Sequence, residues 1–357
     1  MSYGLRVRDA SGTIINDPSL FSAGFYAGGV GAVYGSSSTT TFPNVPAGGL
    51  VLYQYGPSSH NVSHGSNGSG QATVTLTPRT VSPTFASNTA YLAFARQTFE
   101  SNSYGIFTLN DDGERQLSGV LPSSQFMQRV VFASTPNSRT SAYDGYFRNQ
   151  HNVTASVGST RRRLVLWSLK STTADVWFYG VNVLGPGETV LSALIYSQGS
   201  ATYQTPEAFI FAIDNPPASS DTFGLRAYDA AGNITFDSGC RHMIMVGLPN
   251  SVGFAPTSAI DIQSYTLSAM SGITPAIFVP AYIYERWERV TPTSSNSAAN
   301  TLRGVVRRRG NILDTYIVQI DRVFEDIVLN ATFQYGSNIS LATPIVDAVE
   351  YGGTAFT

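Results

Sequence analysis

Short alternations of apolar and polar residues run along much of the chain, and this pattern is typical of β-strands. In segment 5–8 leucine and valine alternate with arginine, and in segment 233–236 isoleucine and phenylalanine alternate with asparagine and threonine. Such alternation places successive side chains on opposite faces of a sheet, one toward a core and one toward solvent. Heptads and long amphipathic helices are absent from the sequence, so a coiled-coil shaft is not encoded. The pattern therefore predicts an all-β fold.

Three longer apolar runs interrupt this alternation. Segments 89–95 and 207–213 are continuous apolar runs, and 343–349 is a looser counterpart near the C-terminus. Runs of this length suit strands that are buried on both faces. Polar or proline-containing linker segments follow the first two runs, at 97–103 and 215–220. These joints predict domain boundaries near residues 101 and 219.

The predicted boundaries divide the chain into three units of ordinary size for a β-sandwich. We therefore expect three tandem β-sandwich-like domains, at residues 1–100, 101–219 and 220–357. The third domain carries an insertion near 285–310. Within the second domain, segments 163–169 and 175–181 are predicted to form a hairpin.

A motif of fifteen residues occurs twice in the chain, since residues 3–17 align without gaps on residues 223–237 and eight positions are identical. A weaker third copy lies at 104–113. Each copy is predicted to be a strand, a tight turn and a second strand. In the turn, Asp229 accepts hydrogen bonds from the backbone and Gly232 supplies a positive φ, and the first copy has the same two residue types at these positions.

Composition narrows the class of protein. Charged residues make up 12% of the 357 residues and hydrophobic residues 42%, so the chain is not intrinsically disordered. The net charge of −2 predicts no nucleic-acid partner, because such a partner normally requires a basic excess. The single cysteine, Cys240, excludes an internal disulfide framework and a cysteine-based zinc site.

The start of the chain shows no secretory signal, since a basic region followed by an apolar stretch is missing. No window approaches the ~20 apolar residues of a membrane-spanning helix, so membrane insertion is not predicted. We therefore expect synthesis in the cytoplasm, although the low charge and the abundance of serine, threonine and asparagine are typical of a protein that works outside a cell.

Catalytic chemistry is not predicted. A glycan-cleaving enzyme normally needs two carboxylates about 5 to 10 Å apart, and the first domain holds only Asp9 and Asp17, both within the repeated motif. Carboxylates near 285–288 are available in the third domain, but their spacing selects no pair. His60 and His64 lie in a predicted polar loop without a carboxylate or thiol. We predict no catalytic residue, no metal and no cofactor.

Two arginine triplets are the strongest local charge features, and an aromatic segment precedes the second. The candidate receptor or interface contacts are Arg161, Arg162, Arg163, Tyr282, Tyr284, Trp287, Arg307, Arg308 and Arg309. Guanidinium groups bind phosphate through two parallel hydrogen bonds, and aromatic rings can stack on sugars. Alternatively, the arginines pair with carboxylates such as Glu325 and Asp326 between domains or subunits, and the aromatic residues are ordinary strand and interface residues.

The opening sequence Tyr3-Gly4-Leu5-Arg6-Val7-Arg8-Asp9-Ala10-Ser11-Gly12 resembles the start of a group of bacteriophage tail proteins. Their β-rich domains begin with an aromatic-Gly-Leu strand and an Asp-Ala-x-Gly turn. The resemblance covers residues 3–17 and again 223–237, while the middle copy departs from it with Phe107 at the position of Arg6. It implies a minor tail, tail-tip or fibre-associated structural protein of a phage or prophage, without catalytic residues.

The leading hypothesis is a virion structural protein of a phage tail tip, baseplate or tail fibre, which contributes to tail assembly and host attachment. It would be made in the host cytoplasm and located in the tail of the virion. Expected partners are other tail proteins, further copies of the chain, and a host surface glycan or lipopolysaccharide. The alternative is a glycan- or lipopolysaccharide-binding receptor-recognition protein, and an enzymatic depolymerase ranks third. Recognition chemistry is expected in the more charged third domain.

Overall fold

The computed structural model of the chain describes residues 7–8, 14–16, 24–31, 37–46, 60–78, 88–95, 123–132, 137–140, 149–156, 163–172, 176–180, 183–184, 189–197, 205–214, 218–220, 224–247, 252–254, 262–279, 285–289, 297–325, 333–335, 339–341 and 344–355. The strands among them are Val7–Arg8 (β1), Ile14–Asn16 (β2), Gly24–Gly31 (β3), Ser38–Pro46 (β4), His60–Ser66 (β5), Gln71–Pro78 (β6), Asn88–Ala95 (β7), Gln125–Val131 (β8), Asn137–Thr140 (β9), Asn149–Ser156 (β10), Arg163–Ser168 (β11), Val176–Gly180 (β12), Val183–Leu184 (β13), Val190–Ser197 (β14), Glu207–Ala212 (β15), Arg226–Tyr228 (β16), Ile234–Asp237 (β17), Val252–Phe254 (β18), Gln263–Thr266 (β19), Pro275–Ile277 (β20), Glu285–Arg289 (β21), Ser297–Arg309 (β22), Ile312–Glu325 (β23), Phe333–Tyr335 (β24), Ile339–Leu341 (β25) and Ile345–Asp347 (β26). Two short 3-10 helices, Ser268–Met270 and Ala348–Tyr351, are the only helices in these ranges. The predicted all-β class is therefore confirmed.

Two large antiparallel sheets form the centre of the described fold. The nine-stranded sheet has the order β19-β23-β22-β12-β14-β10-β9, and β21 and β24 extend it beside β22. The six-stranded sheet has the order β26-β20-β11-β15-β8, with β13 paired to β11. In each sheet, strands from both sides of residue 219 hydrogen-bond to one another. The division into three domains stays a prediction.

The two large sheets pack on each other in a sandwich-like arrangement. The ring of Trp167, on β11 of the six-stranded sheet, lies 4.8 Å between centroids from the ring of Phe178, on β12 of the nine-stranded sheet. The ring of Phe132 also stacks on the ring of Trp167, with the two centroids 5.6 Å apart. Trp167 is completely buried, so its contacts connect the two sheets at the middle of the core.

Strands β11 and β15 are buried along their whole length. All six residues of each strand are buried. Their side chains alternate between two hydrophobic clusters, so that Leu164 and Leu166 pack in one cluster and Val165 and Trp167 in the other. The prediction that the run 207–213 is buried on both faces is therefore confirmed for β15.

Segments 163–169 and 175–181 do not form the predicted hairpin. β11 pairs with β13, β15 and β20, whereas β12 pairs with β14 and β22. The two segments belong to different sheets and face each other through the contact of Trp167 with Phe178. Both strands are strongly apolar, and each gains more burial when the two lie in opposing layers of a sandwich. This burial in the tertiary structure determines which strands pair.

The predicted polar loop around His60 and His64 is also wrong, because both residues lie in β5. This strand pairs with β6, with His60 opposite Pro78 and His64 opposite Val74. Serine and threonine alternate with valine and leucine in the paired strands, and this period of two is compatible with a sheet despite the polarity. The apolar run at 89–95 forms most of β7, and its side chains lie outside the described residues.

The two stronger copies of the repeated motif form hairpins with the same strand register, and the weaker copy at 104–113 lies outside the described residues. β1 pairs with β2, and β16 pairs with β17. The equivalent cross-strand pairs are Val7↔Asn16 and Ala227↔Phe236, then Arg8↔Ile14 and Tyr228↔Ile234. In both hairpins the register shifts between these two pairs. The sequence repeat is thus also a repeat of backbone structure.

The turn of the second hairpin has the hydrogen bonds that its sequence predicts. The Oδ1 atom of Asp229 accepts from the backbone of Ala231 at 2.9 Å and from the backbone of Asn233 at 2.7 Å. The Asn233 side chain donates to the other carboxylate oxygen at 2.8 Å. Gly232 has a φ of +83°, which a residue with a Cβ adopts only with strain.

Arg226 and Asp237 form an ion pair beside this hairpin. Arg226 Nε lies 2.7 Å from Asp237 Oδ2, and the carboxylate also accepts from the backbone and hydroxyl of Ser219. Burial by itself raises the pKa of Asp237, but these hydrogen bonds outweigh it, and the net shift is downward. Arg6 and Asp17 occupy the same positions of the repeat and lie outside the described residues.

Replacing Gly232 by alanine is expected to lower the free energy of unfolding by about 1 kcal/mol. No atom lies within 4 Å of the added Cβ, so the effect comes from the positive φ alone. Gly68→Ala is the matched control, because its Cβ is equally unobstructed and its φ is not positive. Urea unfolding monitored by fluorescence measures both, and equal changes in the two variants would contradict the assignment.

Candidate functional site

The second arginine triplet lies at the end of the long hairpin of β22 and β23. Residues Gly310 and Asn311 connect the paired strands as a two-residue turn. Gly310 has a φ of +60°, the left-handed conformation that favours glycine in such turns. Because successive residues of a strand point to opposite faces, Arg307 and Arg309 share one face of the sheet and Arg308 occupies the other.

Arg307 and Arg309 bind one buried carboxylate, that of Asp314. The Nε atoms of the two arginines lie 2.8 Å and 2.6 Å from Asp314 Oδ2. Arg309 Nη2 and the Ser264 hydroxyl donate to the other oxygen, Oδ1, at 2.9 Å and 2.6 Å. Asp314, directly opposite Arg307 in the hairpin, is therefore a shared partner of these arginines, whereas the side chains of Glu325 and Asp326 lie outside the described residues.

Asp314 is ionised at neutral pH. Burial by itself raises its pKa, but hydrogen bonds from Arg309, Ser264 and Arg307 outweigh this effect and hold the pKa well below its usual range. The Arg307 guanidinium also lies 4.4 Å from the centroid of the Trp177 ring, a cation–π distance. This face of the hairpin is thus a compact ion cluster in which two cations share one anion.

Arg308 is in a different environment on the opposite face. The residue is 6% exposed, and its guanidinium donates to the carbonyls of Gly310 at 2.7 Å and of Leu169 at 3.0 Å. Within the described ranges no carboxylate pairs with it. Burial lowers the pKa of Arg308, since a cation loses solvation there. Among the described residues, the hydrogen-bond partners of the Arg308 guanidinium are these two carbonyl groups.

The segment after β11 holds the hairpin turn in place. Gly310 donates its backbone N–H to the Ser171 hydroxyl oxygen at 2.8 Å, and Thr172 donates its N–H to the Arg308 carbonyl at 3.0 Å. Together with the bond from Arg308 to Leu169, these contacts join the end of the nine-stranded sheet to the end of β11. The geometry around Arg308 is therefore fixed by two separate chain segments.

An open cleft of about 140 Å³ lies beside Arg308, between the ends of the two sheets. It is lined by Leu169, Lys170, Ser171, Thr172, Val176, Phe178, Ile195, Pro206, Val306, Arg307 and Arg308. Three of these lining residues are cations, and none of the described lining residues is a carboxylate. Its apolar wall comes from the buried cluster around Phe178. The cleft combines an apolar wall with a cationic side.

The structure places the other predicted contacts away from this cleft or does not describe them. Arg163 begins β11 and is 1% exposed, so its side chain lies inside the fold. The backbone of Trp287 lies in β21, opposite Thr301 of β22, and its side chain is outside the described residues. The remaining four are also outside the described residues: Arg161, Arg162, Tyr282 and Tyr284.

The sequence analysis did not select Lys170, which is the only lysine of the chain and lines the cleft. The sequence contains 21 basic residues, and the rarity of lysine among them could have drawn attention to Lys170. The role of Asp314 was not predicted either, because its pairing with Arg307 depends on the register of a hairpin. Neither residue can be connected with the arginine triplet until the position of the turn at 310–311 is known.

A second buried carboxylate, Glu207, forms a structural clamp. Arg129 on β8 donates to both of its carboxylate oxygens, at 2.9 Å and 2.6 Å, and Thr354 adds a backbone hydrogen bond at 3.2 Å. Burial by itself raises the pKa of Glu207, and hydrogen bonds from Arg129 and Thr354 outweigh it, so the net shift is downward. The clamp fastens the C-terminal segment to β8 and β15.

His242 is buried next to the second repeat hairpin. Its Nε2 donates to the Asp237 carbonyl at 2.7 Å, and its ring stacks on Phe236 with centroids 4.5 Å apart. Burial lowers the pKa of His242, which favours the neutral imidazole. Cys240 is buried nearby in sequence. These contacts give His242 a packing role between β17 and the segment that follows it.

Within the described part of the chain, no group of three or more histidine, cysteine or carboxylate side chains has a metal-binding arrangement. That part also contains no helix with the length and apolar character that crossing a membrane requires. Comparisons with protein-family models, with curated proteins and with solved structures find no match for this chain.

Proposed function

We propose that the chain is a structural component of a phage tail, located in a tail tip, baseplate or tail fibre and contributing to assembly and host attachment. The observation that carries this proposal is the doubled hairpin. Two copies of a motif that resembles the start of phage tail domains have the same cross-strand pairs and the same register shift. The all-β, sandwich-like fold is compatible with such a building block.

Particle composition tests this proposal. The gene would be tagged in the phage or prophage that carries it, and tails would be purified and examined by mass spectrometry and cryo-electron microscopy. The expected result is a fixed copy number at a defined position in the tail. A chain found only in the cell lysate, with complete and infective particles lacking it, would contradict the proposal. A tagged capsid protein of the same phage serves as the control for recovery.

A second candidate function is recognition of a glycan or lipopolysaccharide, and the cationic cleft favours it. Substituting the cleft residue Lys170 by glutamine separates the two candidates. Intact particles that fail to adsorb to the host support recognition, whereas failed assembly supports the structural role. Gly68→Ala, in the turn between β5 and β6, serves as the control substitution for both assays.

A further inference from the structure

We propose that Asn67 is a site of spontaneous deamidation, at which the backbone nitrogen of Gly68 displaces the side-chain amide group. The reaction converts the turn between β5 and β6, at residues 67–71, from an amide form to a carboxylate form. Asn67 and Gly68 form the only Asn-Gly pair of the sequence. The proposal goes beyond the tail role and does not depend on it, because the reaction needs only water.

The Asn67 side chain is held across this turn by three hydrogen bonds. Its Oδ1 accepts from the backbone N–H of Ser69 at 3.0 Å and from that of Gln71 at 2.9 Å. Its Nδ2 donates to Gln71 Oε1 at 2.8 Å. The bond from Ser69 closes a ring that contains both Cγ of Asn67 and the backbone nitrogen of Gly68. The electrophile and the nucleophile of the reaction are thereby held in one small ring.

The two backbone donors also stabilise the charge that develops during the reaction. Attack on Cγ of Asn67 places a negative charge on Oδ1, and the N–H groups of Ser69 and Gln71 already donate to that atom. Preorganised donors at such distances act as an oxyanion hole. Gly68 is exposed, so hydroxide reaches its N–H, and it has no Cβ to obstruct the attack.

The reaction balances with water as the only co-reactant. Hydroxide removes the proton from Gly68 N, this nitrogen forms a bond to Asn67 Cγ, and the bond between Cγ and Nδ2 breaks. The leaving amide nitrogen takes a proton from water and departs as ammonia, which restores the hydroxide. Water then opens the cyclic imide at one of its two carbonyl groups. The products are aspartate and isoaspartate at position 67.

The carboxylate form of this turn already exists elsewhere in the chain, in the hairpin of β16 and β17. Asp229 Oδ1 accepts from the backbone of the second and fourth residues after it, as in the turn at 67–71. In both turns the first residue donates its N–H to the carbonyl of the fifth, and Gly70 has a φ of +72°, near the +83° of Gly232. The Asn233 side chain donates to the carboxylate, and Gln71 donates in the same way once its amide group is rotated. The aspartate product therefore keeps the turn.

Peptide mass mapping of the purified chain tests the proposal, with incubation at mildly alkaline pH in the native state and in denaturing guanidinium chloride. We expect the peptide that contains Asn67 to exchange an amide for a carboxyl group and to contain isoaspartate. A native rate above the unfolded rate, or within about tenfold of it, supports the proposal, since this factor corresponds to about one hydrogen bond. A lower native rate would show that the turn protects Asn67 and would overturn the proposal.

An internal control is Asn233, whose side chain is also held in a turn. It precedes Ile234, and a β-branched side chain obstructs attack by the backbone nitrogen. We expect no deamidation of Asn233 during the same incubation. Equal rates at Asn67 and Asn233 would overturn the proposal.

Gly68→Ala identifies the attacking nitrogen. No atom lies within 4 Å of the added Cβ, and the φ of Gly68 is not positive, so the variant is expected to fold. The Cβ restricts the approach of the nitrogen and is expected to slow the reaction severalfold. Ser69→Ala is the matched control, because it changes an exposed side chain of the same turn and keeps the N–H donor. Equal rates in Gly68→Ala and wild type, with aspartate as the only product, would indicate direct hydrolysis and overturn the proposal.

Asn67→Asp tests the fate of the turn after the reaction. Because Asp229 occupies the equivalent position of the same kind of turn, the variant is expected to melt within about 2 °C of the wild type. A larger decrease in melting temperature would overturn the conclusion that the aspartate product keeps the turn.

Discussion

Replacing Asp314 by asparagine is expected to lower the free energy of unfolding by about 3–5 kcal/mol, one of the two largest effects of any single substitution proposed for this chain. The amide keeps the shape of the carboxylate but removes the negative charge that Arg307 and Arg309 share. The Asp314 side chain is fully buried. The Arg307 cation, which is 11% exposed, would lose its counter-ion without regaining full solvation.

Chemical unfolding at neutral pH measures this effect, and Asp229→Asn is the matched control. That substitution also removes one negative charge, but Asp229 is partly exposed, and asparagine keeps the two backbone hydrogen bonds of the turn while it loses the one from the Asn233 side chain. The control is expected to lower stability by about 1 kcal/mol or less. A loss below about 1 kcal/mol in Asp314→Asn would show that the ion cluster does not stabilise the fold.

The pH dependence of stability gives a second test of the role of Asp314. The folded-state pKa of Asp314 lies below the value of about 3.9 expected in the unfolded chain, so the unfolded state binds the proton more readily. The stabilisation is therefore present above about pH 4 and is lost as the pH falls toward the folded-state pKa. We expect the acid-induced loss of stability to be smaller in Asp314→Asn than in the wild type.

Trp167→Ala is the second large effect, with an expected loss of about 3–5 kcal/mol. Trp167 is completely buried and contacts Phe132 in one direction and Phe178 in the other. Truncation leaves a cavity between the two sheets, and paired strands on both sides limit how far the structure can relax into it. The contact between the sheets would be lost at its centre.

Denaturant unfolding followed by circular dichroism measures this loss without depending on the tryptophan itself. Trp167→Phe keeps an aromatic ring and is expected to lose less than the alanine variant. Val131→Ala is the surface control, since Val131 is 60% exposed, and its change is expected to stay within about 0.5 kcal/mol. Similar losses in Trp167→Ala and Val131→Ala would contradict the assignment of Trp167 to the core.

The parts of the fold that the sequence predicted correctly are those that local chemistry determines. The turn at Asp229 and Gly232 needs an acceptor side chain and a positive φ within four residues, and both signals lie in the sequence. The burial of β15 follows from a continuous apolar run. These features do not depend on which strands lie next to each other, and the all-β class is correct for the same reason.

Strand pairing was not predictable in the same way. The strands that contain Trp167 and Phe178 are close in sequence and apolar enough to pair, yet they belong to different sheets. The choice depends on the burial that each strand gains from partners more than twenty residues away. Patterns of short strands do not encode such long-range gains, so the hairpin prediction at 163–181 was wrong.

The candidate site was predictable only in part. The triplet containing Arg308 was selected from the sequence because three cations in succession are conspicuous. The alternation of side chains along β22 places Arg308 on the opposite face from Arg307 and Arg309. The turn at Gly310 sets the register of the hairpin. No local pattern locates that turn relative to Asp314 or Lys170, so the residue types were predictable from the sequence but the geometry of the cleft was not.

Lys170 lines the cleft and is the only lysine in the sequence, which makes the cleft chemically addressable. An acylating reagent that reacts with amines can modify this chain only at Lys170 and at its terminal amino group. A fluorophore or photo-crosslinker attached there would report from the cleft itself. The protein therefore offers a single side-chain amine for covalent labelling, and peptide mass mapping can show directly whether a bound ligand protects that amine from the reagent.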